Sequence, residues 1–142
     1  MATIKRFLVP VLCFFLACNL AVPTFAVDAR LSHGVDAELV FGITETGLAE
    51  ASVDYIGNST SFTSATVEIY IQKRTLGFIW TKVDNGEVDK TWVDRSTRQV
   101  DYFVHHLQLE ETGTYRAVFK ITFSGTGAED DVITEKMQDV YE

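Results

Sequence analysis

The chain has 142 residues, 46% of them hydrophobic, with 12 lysines and arginines against 20 aspartates and glutamates and a net charge of −8. That length suits a single domain with a sizeable core. The charge disfavours nucleic acid and anionic lipid head groups, both of which attract basic surfaces.

The first stretch reads "MATIKRFLVPVLCFFLACNLAVPTFA". Lys5 and Arg6 precede an apolar run broken by Pro10, Asn19 and Pro23, and Thr24 and Ala26 are the small residues a signal peptidase reads. This predicts a signal peptide over 1–26, cleaved after Ala26. The breaks argue against a membrane-spanning helix, which needs about 20 apolar residues in sequence. An alternative is "FLAC", loosely a bacterial lipoprotein box, which would leave a lipid on Cys18. Cleavage after Ala26 removes both cysteines, Cys13 and Cys18, and leaves 10 basic residues against 20 acidic ones, a net charge of −10. The mature domain, at 116 residues (142 less 26), would hold together by its apolar core without disulfides.

Residues 27–37 are polar and read as a leader, with the folded domain at 38–142. Period-two alternation, the mark of a strand with one buried face, then recurs along the chain. "ELVFGIT" (38–44) puts Leu39, Phe41 and Ile43 on one side, and "AEASVDYI" (49–56) does so with Ala49, Ala51, Val53 and Tyr55. "ATVEIYIQ" (65–72) is the cleanest, with Ala65, Val67, Ile69 and Ile71 together. "FIWTKV" (78–83) follows "KRTLG", a link suited to a hairpin, and Trp80 in it reads as a sheet residue. "QVDYFVHHLQL" (99–109) is apolar on both faces and leaves its register open. "TYRAVFKITF" (114–123) gathers Tyr115, Ala117, Phe119, Ile121 and Phe123 against Arg116, Val118, Lys120 and Thr122. "VITEKMQDVY" (132–141) is more polar and reads as a charged edge strand. Turn sequences "GNSTS", "DNG" and "SGTG" lie between the runs. Seven short strands with polar turns predict an all-β antiparallel sandwich.

Two stretches, "IYIQKRTLGFIWTKV" (69–83) and "GTYRAVFKITFSG" (113–125), resemble immunoglobulin-like β-sandwich modules. The chain from 39 to 141 also resembles small secreted proteins of Gram-positive bacteria of uncharacterised function. Gly113 and Tyr115 sit where such modules carry a corner tyrosine, whose hydroxyl bonds a main-chain group upstream. Here that group would lie within 109–112. The resemblance departs from antibody domains at Ala117, which occupies a core cysteine position, with Ala51 or Val53 opposite. What it implies is architecture and secretion.

The chemistry-bearing residues are sparse. His105 and His106 are adjacent on a strand and point to opposite faces, so they cannot readily share a metal, and His33 falls in the leader. The serines and threonines of "GNSTSFTS" lack a nucleophile elbow or a base. The loops 57–64, 84–98 and 124–131 are expected at one end of the sandwich. Their acids, Asp84, Glu87, Asp89 and Asp94 in one and Glu129, Asp130 and Asp131 in another, read as solvated charges first, as a calcium site second and as paired catalytic carboxylates third. Trp92 lies among the acids of the 84–98 loop and is either a binding anchor or a lid over the core. The function expected is therefore a secreted, non-enzymatic module without a cofactor. It would bind an extracellular protein or glycan through loops that include Trp92, Asp94, Glu129, Asp130 and Asp131. The alternative is a secreted enzyme or calcium-dependent protein that uses the acidic loop end.

Overall fold

The computed structural model describes residues 24–26 and 31–142; the signal-peptide reading of residues 1–26 lies outside them except at 24–26. Nine strands, β1 (Thr24–Ala26), β2 (Gly34–Ile43), β3 (Leu48–Gly57), β4 (Phe62–Thr75), β5 (Ile79–Lys82), β6 (Trp92–Ser96), β7 (Val100–Gln108), β8 (Gly113–Gly125) and β9 (Asp131–Tyr141), form two antiparallel sheets. One has the order β1-β2-β3-β7. The other has the order β5-β4-β8-β9, with β6 beside β5 on the same edge of β4. The architecture is all-β, as the alternation predicted, and the apolar sides of the two sheets face each other.

The core is the set of residues the period-two pattern picks out. Leu39, Phe41, Ala51, Val53, Val67, Ile69, Ala117, Phe119, Ile121 and Phe123 are all fully enclosed. Tyr55 of the first sheet meets Phe123 of the second edge-on, with ring centroids 5.5 Å apart. Ala117 and Ala51, one in each sheet, are both at 0% exposure, small residues enclosed in the shared core. In β7, whose register the sequence left open, Phe103, His105 and Leu107 turn inward while Val100, Tyr102 and Val104 are exposed.

Side-chain links close both flanks of the sandwich. On one flank β6 faces β7. Trp92 stacks on His105 with centroids 4.8 Å apart and planes 8° from parallel, and Asp94 Oδ2 lies 2.5 Å from His105 Nε2. The Ser96 hydroxyl donates to Asp101 (2.6 Å). On the other flank β9 faces β2. Asp131 accepts the main-chain N–H groups of Ser32, His33 and Gly34, and Asp139 accepts that of Ile43. The chain ahead of 38 therefore belongs to the fold in part. Strand β2 starts at Gly34, and His33 is enclosed against Gly125, where an added Cβ would meet its ring at 2.3 Å.

At the start of β8, Gly113 has φ +145, a backbone that side chains rarely adopt. Two residues on, the buried Tyr115 donates its hydroxyl to the Glu111 carbonyl at 2.5 Å. Burial pushes the phenol's pKa up, which keeps it a donor.

Candidate functional site

The acidic loops do not converge. Loop 57–61 and loop 125–131 do meet, through Thr126 N–H to Ser61 O, and residue 99 joins them through Gly57 N–H to Gln99 O. Asp84, in contrast, lines an open cleft with Lys73, Glu111 and Tyr115, at the opposite end of β8. Two of the proposed binding residues lie in a strand: Trp92 and Asp94 belong to β6 and face inward. Trp92 is 7% exposed, which makes it a lid over the flank of the core. Asp131 is committed to three N–H donors. Burial alone would raise its pKa; the three donors outweigh that and hold the carboxyl below its ordinary range. Glu129 and Asp130 are exposed. Among the described residues no group of three or more His, Cys, Asp or Glu side chains is placed to hold a metal ion. His105 and His106 face opposite ways, one toward Asp94 and the other toward Glu50.

The surface that does gather chemistry is the outer face of the five-stranded sheet. Alternation fixes it. With Val67, Ile69 and Ile71 inward, β4 turns Thr66, Glu68, Tyr70, Gln72 and Arg74 outward. The register then carries that face across the sheet. Trp80 and Lys82 of β5 pair with Arg74 and Gln72, Arg95 of β6 pairs with Thr66, and Arg116 and Lys120 of β8 pair with Gln72 and Glu68. Lys136 of β9 pairs with Val118. Six strand cations (Arg74, Lys82, Arg95, Arg116, Lys120 and Lys136) thus share a face with one strand carboxylate, Glu68, itself 3.0 Å from Lys120, while Glu87 and Asp89 of the segment before β6 line a pocket with Glu68 and Lys82 at its edge.

Stacking orders the face. The Arg116 guanidinium lies 4.1 Å from the Trp80 ring centre, while its Nε donates to Gln72 at 2.8 Å. Arg74 approaches the same indole at 5.9 Å, and Lys82 lies 4.2 Å over Tyr70. Val118 points outward yet is 2% exposed, so the long side chains around it cover it with their stems. These contacts hold Arg116, Arg74 and Lys82 over the sheet.

The face continues into a hairpin that overhangs the sheet. The last pair between β4 and β8 is Lys73 with Tyr115, and the turn lies beyond it. Its central residues, Leu76 at φ +51 and Gly77 at φ +82, form the primed type of two-residue turn. Leu76 is 81% exposed and Phe78 is 76% exposed, so the turn presents two large apolar side chains to water.

The opposite outer face, on the four-stranded sheet, has the reverse sign. Asp36, Glu38, Glu50 and Asp54 are exposed on β2 and β3, and among the described residues β2, β3 and β7 contain no lysine or arginine. Sequence reasoning identified Arg116 as outward-facing and Trp80 as a sheet residue, but not the face they build. That face requires knowing which five strands share a sheet. No protein-family model matches the chain, and no characterised protein or solved structure matches it.

Proposed function

We propose that the protein is a secreted, non-enzymatic module of immunoglobulin-like build. It recognises an anionic partner outside the cell, protein or glycan, through the outer face of its five-stranded sheet. The observation that carries this reading is that the strands of that face turn out six cations and one carboxylate in a chain whose net charge is −8. A face of sign opposite to the whole steers an anionic partner to one side of the molecule. The immunoglobulin-like reading is supported by strand order, since β2-β3-β7 against β5-β4-β8-β9 follows an A-B-E sheet facing a C′-C-F-G sheet, and by the Tyr115 bond to Glu111 at the start of the F-like strand. Secretion is supported by the signal-like start. In that reading β1 leaves with the signal, and β2 becomes the edge of its sheet.

The test is capture. The processed protein, immobilised and exposed to the extracellular fraction of its source, should retain a binder that salt elutes. The Lys120→Glu, Lys136→Glu variant should retain none. Equal capture by both, or a binder held only through the acidic face, would overturn the assignment.

A further inference from the structure

We infer that copies of this chain stack head to tail, the cationic outer face of one against the acidic outer face of the next. This rests on the reading above that the cationic face is the contact surface, and it names a partner for it.

The two faces match in sign, chemistry and shape. One carries Arg74, Lys82, Arg95, Arg116, Lys120 and Lys136. The other carries Asp36, Glu38, Glu50 and Asp54 with no lysine or arginine on β2, β3 or β7, and His106 lies 2.9 Å from Glu50. Each also exposes apolar side chains. Ile56 pairs with Val100 on the acidic face, with Tyr102 and Val104 exposed beside them, while Val93, Val132 and Val140 are exposed on the cationic face. Both are sheet surfaces with the same repeat, strands about 4.8 Å apart and alternate side chains about 6.7 Å apart along a strand. Rows of opposite charge can therefore align over several residues.

Topology sets the kind of assembly. Each sheet spends its inner face on the common core, so the two charged faces look in opposite directions from one molecule. A two-fold dimer through either face would oppose like charges. A contact between unlike faces leaves one free face at each end and propagates. An acidic polysaccharide or another acidic protein would use the cationic face alone and leave the acidic face without a role.

Sedimentation velocity of the processed protein, with charge-swapped variants, tests the stack. Lys120→Glu with Lys136→Glu leaves the strands of the cationic face with four cations against three carboxylates, and Glu38→Lys with Asp54→Lys leaves the acidic face with two carboxylates against two lysines, so each variant largely cancels one charged face; all four positions are exposed. The wild type should show a mass that rises with concentration at low salt and returns to that of a monomer at about 1 M salt, where the Debye length is about 3 Å. Each variant alone should stay monomeric. Mixed, the two should associate, because each supplies the face the other lost. If a reversal disturbs folding, seen in the circular-dichroism melt, Lys120→Gln with Lys136→Gln removes the charge without reversing it and must still weaken association. A wild type that stays monomeric at low salt, or a mixture that stays monomeric, overturns the stack. If that monomer still captures an external binder through Lys120 and Lys136, recognition stands and self-stacking alone falls.

Discussion

Tyr115 shows how much one side chain can settle. Its ring is buried and its hydroxyl takes the Glu111 carbonyl, one of the four residues in which the sequence expected a partner. Tyr115→Phe keeps the ring and orphans that carbonyl, so it should cost about 1–3 kcal/mol in a denaturation experiment. Arg116→Ala, one residue on and facing out, should cost about 0.5–1 kcal/mol, the value of an exposed cation–π contact. A larger loss at Arg116 than at Tyr115 would mean that the strand faces the other way. Asp131 makes a pH-dependent contribution. Its carboxyl is held below its ordinary pKa, so the stability it adds is complete above the unfolded value, near pH 4, and is lost as pH falls through the lower folded value. Asp131→Asn should therefore destabilise the fold at neutral pH and flatten the acid limb of its stability curve. An unchanged acid limb would remove Asp131 from that role. At Leu76 the gain runs the other way. A leucine in left-handed backbone is strained, and Leu76→Asn should raise stability by about 0.5–1 kcal/mol, read in a thermal melt.

At the scale of elements, every strand with clean alternation was legible, because a half-buried strand writes its buried face into the sequence. Strand β4 is the best example, its inner residues at 65, 67, 69 and 71 all enclosed. Strand β6 was read as part of a loop. It is five residues long and its inner face carries Trp92, Asp94 and Ser96, two of them polar, because it packs against His105 and Asp101 at a flank. That polar inner face hid the strand and moved Trp92 from a binding loop to a structural stack. Trp92→Ala should cost about 3–5 kcal/mol, as for other buried tryptophans, and loosen β6 from β7. Hydrogen exchange that speeds up in residues 92–96 ahead of the core would show it, and unchanged exchange there would contradict it. Strand β9 read as a charged edge. It is the edge of its sheet, and its inward acids Asp131 and Asp139 also tie it to both ends of β2, a role set by tertiary contact and absent from any local pattern.

For the whole molecule, net charge is a sum that conceals where the charges sit. The value of −8 predicts repulsion from polyanions, yet one side of the sandwich gathers six cations. Alternation alone assigned Arg116 and Lys120 to an outer face. It could not say that β4, β5, β6, β8 and β9 share one sheet, and the charged face exists only once they do. The acidic loops were expected at one end for the same reason, and Asp84 lies apart from Glu129 and Asp130 in a topology the sequence left unassigned. Methyl-resolved paramagnetic relaxation from charged nitroxides measures the surface potential directly. An anionic nitroxide should broaden the outward methyls of Thr66, Thr122 and Thr134 more than a cationic one does, and a cationic nitroxide should prefer Ile56 and Val104. Equal broadening of both sets by both probes would contradict the segregation of charge on which the account rests.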